Sequence, residues 1–244
     1  MRFSWTRVAA ITVKELRDYR RNRFVIGTMV FLPILFIALP IVQLLITPAV
    51  EASSRLDSRV GLSLLYLLLI PAFVPSTLSA YSVVGEREQG TLEPVLITPI
   101  GREEFLVGKA LAVAAPTLTI AYALFGIFLA VTALFAHAGI ASAIFAGSHV
   151  LVQLLFTPLL AGWSIWVGIA ISARSSDVRV AQQLSVFASL PPLAIIALIQ
   201  FKVITPSTGL ALGLAAALLI VDGLGWRAVA AIFDRERLIT GARR

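Results

Sequence analysis

The sequence predicts an all-α membrane protein with six transmembrane helices. An N-terminal amphipathic elbow helix precedes the first of them, and a charged helix-turn-helix loop joins the second and third. Three observations carry that prediction. The 244 residues are 59% hydrophobic and only 14% charged, with a mean hydropathy of +0.93, far from the composition of a soluble domain. Apolar runs of roughly 20 residues or more, the length that crosses a bilayer, recur six times. Between the second and third runs, residues 85–109 (GEREQGTLEPVLITPIGREEFLVGK) gather five Glu, two Arg and one Lys.

In chain order, the basic leader 1–23 comes first. At about 100° per residue, Trp5, Val8, Ala9, Thr12, Leu16 and Tyr19 share one sector, while Arg7, Lys14, Arg17, Asp18 and Arg21 take the other side. The pattern predicts an amphipathic helix lying in the cytoplasmic headgroup layer, with Lys14, Arg17, Arg20 and Arg21 as its basic face. The plainer alternative is a solvated leader that only sets topology. Its polar length before the first apolar run does not match a secretory signal peptide.

The spans are read near 24–47, 60–84, 106–135, 146–171, 178–200 and 208–226, followed by a tail at 227–244. The first, third, fourth and sixth are plainly apolar. The second carries hydroxyls (Ser63, Tyr66, Ser76, Thr77, Ser79, Tyr81, Ser82) but no charge. In the fifth, Pro191-Pro192 predicts a short helix followed by a broken or re-entrant segment. Prolines 33, 40, 71, 75, 116 and 158 kink the first four spans, which suits a protein that rearranges and also occurs in static ones. Gly209 and Gly213 permit close packing of the sixth span. Trp163 and Trp166 read as lipid-facing or packing aromatics, and the tail as a weaker interfacial segment.

Asp222 is the one acidic side chain inside a span. An intramembrane carboxylate is a functional candidate by default. A structural role is expected here, one turn from the cytoplasmic end, with Arg227 or another basic residue as partner. A proton or ion relay would need more than one such group.

Basic residues orient the chain. Seventeen of the 20 Lys and Arg lie on the side of the leader, the 85–109 segment, the 172–179 link and the tail; Arg55, Arg59 and Lys202 lie opposite. The bias puts both termini and the charged loop in the cytoplasm of a multi-pass protein of the cell membrane. The same bias accounts for the net charge of +7, so nucleic acid is not an expected partner.

Most catalytic chemistry is excluded. There is no Cys, and the two His, at 137 and 149, read as loop residues. The stretch Gly101–Lys109 fails as a phosphate-binding loop, because Glu103 and Ala110 stand where Gly and Ser or Thr are required.

The charged loop reads as two short helical starts. Gly90 can end the helix that carries Glu86, Arg87 and Glu88 out of the second span. Thr91 can cap the next helix, with Glu93 in its first turn. Thr98-Pro99 is a further stop and start, and Gly101 with Glu104 takes the cap and third positions of the helix leading into the third span. On these residues the segment resembles the cytoplasmic loop of ABC-2 type transporter permeases. The matching positions are Glu86, Glu88, Gly90, Thr91, Glu93, Leu96, Thr98, Pro99, Gly108 and Lys109, and the leader resembles that family's elbow helix.

The resemblance implies a permease subunit, an exporter by expectation, that pairs with a second permease copy as a homodimer or heterodimer and with a cytoplasmic ABC ATPase. ATP and Mg would then be cofactors of the ATPase, with none on this chain. It also implies that Glu86, Arg87, Glu88, Gly90, Thr91, Glu93, Thr98, Pro99 and Arg102 couple to the ATPase. The residues themselves leave another role open, the pairing of Glu86 and Glu88 with the chain's own basic leader. A pathway between copies would be lined by Ser76, Ser79, Gln182, Gln183 and Ser185, groups that can equally serve as interhelical hydrogen bonds. Two other classes remain: a membrane-embedded lipid-modifying enzyme, which would rest on Asp222 or a His, and an ATP-independent channel.

Overall fold

The computed structural model describes residues 3–46, 53–90, 100–201, 203–204 and 207–232. Every regular element among them is helical: α1 (Trp5–Arg21), α2 (Arg23–Ile46), α3 (Ser53–Glu88), α4 (Arg102–Phe135), α5 (Ala138–Ile144), α6 (Gly147–Arg174), α7 (Val178–Ala188), α8 (Leu190–Gln200) and α9 (Thr208–Ile232). Six stretches are long and apolar enough to cross a membrane, with α7 and α8 counted as one. Helix α3 runs without a break through Gly85 to Glu88, so its charged end is a rigid continuation of a membrane helix. Helix α9 likewise continues past residue 226 to Ile232, so the first residues of the expected tail belong to the span itself.

The centre of the bundle is α3, whose apolar window is 67% buried against 11% for that of α9. It packs on α6, α2, α7, α4 and α8. Small residues set the closest crossing: a Cβ on Gly168 of α6 would lie 1.9 Å from Ser79 Oγ of α3. Ser79 Oγ donates to Ser164 O at 3.2 Å, and Ser172 Oγ accepts from the N–H groups of Val83 and Val84 at 3.1 and 3.0 Å. The outer faces of α2 and α9 expose Phe31, Ile34, Leu45, Leu212, Leu219 and Ile220, the kind of surface that lipid covers.

The fifth span is broken at Ser189. Pro192 has no N–H to offer Ala188 O four residues back, and Trp163 Nε1 of α6 donates to that carbonyl instead, at 2.9 Å. Ser189 Oγ donates to Ser185 O at 2.9 Å and meets Ser76 Oγ of α3 at 2.5 Å, which holds the break against the bundle centre.

Candidate functional site at the charged base

Helix α1 lies across the first turns of α4. Its buried face is Val8, Ile11, Glu15 and Tyr19, rotated from the sector that periodicity selects, and Trp5 is left 68% exposed. Gly108 explains the rotation. A Cβ there would come 2.7 Å from Ile11 Cβ, so only glycine lets the two helices touch, and Thr12 Oγ1 donates to Gly108 O at 3.1 Å. The start of α1 is pinned by Glu104. Its carboxylate accepts Arg7 Nε and Nη2 at 2.8 and 2.6 Å, Ser4 N at 2.7 Å and Gly101 N at 2.8 Å. Gly101 is the N-cap of α4, so one carboxylate closes the first turn of α4 and grips α1.

One turn further along α4 stands Lys109, with no exposed surface. Its Nζ lies 3.1 Å from Glu15 Oε1, 3.0 Å from Glu86 Oε2 and 2.6 Å from Ser82 O. The Phe105 ring sits below it, with the ammonium 4.9 Å from the ring centroid. Lys14 closes the cluster, 3.1 Å from Glu15 Oε1 and 2.5 Å from Glu86 Oε1, with Asp18 at 3.5 Å on its outer side. Two buried carboxylates thus share two cations contributed by α1 and α4. Burial alone would raise the Glu15 carboxyl, but Lys109 and then Lys14 outweigh it and hold its pKa below the ordinary value. Burial likewise disfavours the Lys14 ammonium, and Glu15 and Glu86 more than reverse that, so its pKa is raised.

The next two residues of α3 bind two other helices. Arg87 donates to Ser175 O and Ala173 O at 3.0 and 3.3 Å, satisfying carbonyls at the end of α6. Glu88 Oε1 accepts Val178 N at 3.1 Å at the start of α7, beside Asp177, whose side chain accepts Arg179 N and Val180 N. Gly90 then ends the chain's helical run with φ of +67°. Beside α1 and the end of α3 lies an open cleft of about 520 Å³, bordered by Lys14, Asp18, Arg21, Asn22, Tyr81 and Gln89.

The coupling candidates divide accordingly. Arg87, Glu88, Gly90 and Arg102 are exposed, whereas Glu86 is 7% exposed and paired inside the chain. Its partner in the leader is Lys14, while Glu88 turns to α7 rather than to the leader. Thr91, Glu93, Thr98 and Pro99 lie outside the described residues. Of the basic face of α1, Arg17, Arg20 and Arg21 are exposed and Lys14 is half-buried. The pathway candidates are not grouped on one open surface. Ser76, Ser79 and Ser185 have no exposed surface, because each hydroxyl bonds a carbonyl one turn back in its own helix, at 2.5, 2.5 and 2.7 Å. Gln183 is exposed and Gln182 half-buried.

Sequence reasoning missed Glu15, Lys109 and Glu104 as a connected set. A lysine at the start of an apolar run was the available signal, since it needs a buried partner. The expected Asp222–Arg227 pair is absent. Asp222 accepts Trp166 Nε1 at 3.0 Å, and Arg227, five positions on, lies about 140° around the helix and is exposed.

Apolar helices meeting at one cross-braced charged base define a multi-pass membrane protein. The model of the ABC-2 family transporter protein matches residues 9–205, from α1 to the end of α8. The chain belongs to that family, and is therefore an ABC transporter permease; permeases of this family are membrane components without intrinsic catalytic activity, and membership implies association with an ABC ATPase subunit. No curated protein matches the chain.

Proposed function

We propose that the chain is the transmembrane subunit of an ABC exporter, working with a second permease copy. In this reading ATP and Mg act on a separate ATPase, and hydrolysis there drives substrate across the cell membrane. The charged base and both termini face the cytoplasm, following the distribution of Lys and Arg. The observation that carries the reading is the tie of Glu86, Arg87 and Glu88 to four other helices. A push on the exposed tip at Arg87, Glu88, Gly90 and Arg102, continued by Thr91, Glu93, Thr98 and Pro99, would reach α1, α4, α6 and α7 together. Gln182 and Gln183 are the candidates that remain open to a pathway between copies.

The test is reversal of tip charges that avoids the buried cluster, with Glu93→Lys and Arg102→Glu in one variant. The expected result is loss of ATPase co-purification and of ATP-driven transport in proteoliposomes, at an unchanged melting temperature of the permease. Retained association and transport would reject this coupling surface. Conductance without ATP, or lipid modification by the purified chain, would reject the exporter itself.

A further inference from the structure

We propose that Asp222 of α9, together with Trp163 and Trp166 of α6, forms a site that binds a lipophilic organic cation. Asp222 lies in α9 within the sixth apolar span, five residues before Arg227 and beyond the residues matched to the family. The half-buried carboxylate has one hydrogen bond, Oδ1 accepting from Trp166 Nε1 at 3.0 Å. Among the described residues no Lys, Arg or His pairs with it. A half-buried carboxylate in an apolar span is costly without a countercharge, and one indole N–H does not supply a charge.

The surroundings are shaped around this group. A Cβ on Gly162 would stand 2.9 Å from Asp222 Oδ2, and one on Gly225 would stand 2.4 Å from the Trp166 ring. Two glycines therefore make room, one for the carboxylate and one for the indole that holds it. Trp163 meets Trp166 edge-on, with centroids 5.0 Å apart and planes at 73°, and is itself fixed by its bond to Ala188 O. The site thus offers a half-buried carboxylate, one of whose oxygens has no hydrogen bond, beside two half-buried indoles.

That set selects its ligand. A metal ion or small hydrated cation needs several oxygen ligands, and an anion would be repelled. An alkylated or delocalised cation with apolar bulk needs one countercharge and aromatic faces, both present here. Such a molecule dissolves in the bilayer, the phase that surrounds this half-buried carboxylate. As a substrate site it rests on the exporter reading; as a binding site it stands apart from it.

The test is equilibrium binding to the purified permease, without ATPase, in neutral phosphatidylcholine nanodiscs. The probes are tetraphenylphosphonium and tetraphenylborate, which have nearly the same shape and opposite charge. Wild-type protein is expected to bind tetraphenylphosphonium saturably and more tightly than tetraphenylborate. Asp222→Asn keeps a carbonyl for Trp166 Nε1 and removes the charge, so it should weaken the cation at least tenfold and leave the borate unweakened. Gly162→Ala keeps the charge, fills the space over Oδ2, and should weaken the cation several-fold. Absence of saturable cation binding to the wild type, or equal binding to Asp222→Asn, overturns the proposal and identifies the carboxylate as an anchor for the indole alone. Should Asp222→Asn fail to fold, undiminished binding to Gly162→Ala overturns it. None of these outcomes depends on ATP-driven transport, so failure here leaves the exporter reading standing.

Discussion

Lys109 Nζ lies 3.1 Å from Glu15 Oε1, although the two residues are 94 positions apart in the sequence and belong to different helices. Glu86 takes the other side of the same ammonium, so α1, α3 and α4 meet at one buried charge. Desolvating four ionic groups consumes most of their mutual attraction, so the cluster does more to fix the register of these helices than to add net stability. Removing one partner is a different matter, because it strands the others.

Lys109→Met keeps the length of the side chain and leaves Glu15 and Glu86 with Lys14 alone. A loss of about 3–5 kcal/mol is expected, read as a lower melting temperature in detergent. Adding Glu15→Gln and Glu86→Gln should recover most of it. A single variant that melts like the wild type would show that the cluster holds nothing.

Two glycines of α4 give a contrast within one helix. Gly108 touches Ile11 and the Val8 carbonyl, whereas a Cβ on Gly126 would meet nothing within 4 Å. Gly108→Ala should cost about 1–3 kcal/mol by overpacking and speed proteolysis at Arg17 and Arg20. Gly126→Ala should be neutral or gain up to about 1 kcal/mol from helix propensity. Equal behaviour of the two variants would contradict the contact between α1 and α4.

Glu15 also sets an acid limit. Its folded pKa lies below the unfolded value, so the folded state holds the proton more weakly and acid favours release of α1. The contribution is present above about pH 4.3 and is lost as the pH falls through the lowered pKa. Lys14, raised in the folded state, contributes fully below about pH 10.4 and loses that contribution only as pH rises through its folded value. Hydrogen exchange over residues 5–21 should therefore stay slow from pH 5 to 9, after correction for intrinsic rates, and quicken in acid. Glu15→Gln should flatten the acid limb; an unchanged limb would assign it to another group.

The Trp163–Ala188 bond is testable by exchange of donors. Trp163→Phe leaves the Ala188 carbonyl without its N–H, at a cost of about 1–3 kcal/mol. Pro192→Ala supplies a helical N–H to the same carbonyl, so Trp163→Phe should cost clearly less in that background. Costs that add without interaction would refute the shared acceptor.

The six apolar runs and the break near Pro191 were readable because run length and a missing N–H are local properties of the chain. The face of α1 was not. Periodicity counts Trp5 as inward and does not single out Glu15, yet Trp5 is exposed and Glu15 buried, because the charge that neutralises Glu15 sits at Lys109 and the gap that admits Ile11 is at Gly108. Asp222 failed for the same reason. Arg227 is near it in the chain, but Trp166 is near it in space. Glu86 was legible as a charged residue and as a possible partner of the leader; its burial depended on Lys109.

Glu86, Arg87 and Glu88 leave α3 about 100° apart in turn, each advanced by about 1.5 Å, and each meets a different neighbour. Deleting or inserting one residue between Pro75 and Glu86 would swing all three to the wrong partner at once. Any single substitution there loses one tie and leaves the other two. In this stretch the number of residues matters more than their kind, and shortening or lengthening it by one should abolish assembly where point changes only weaken it.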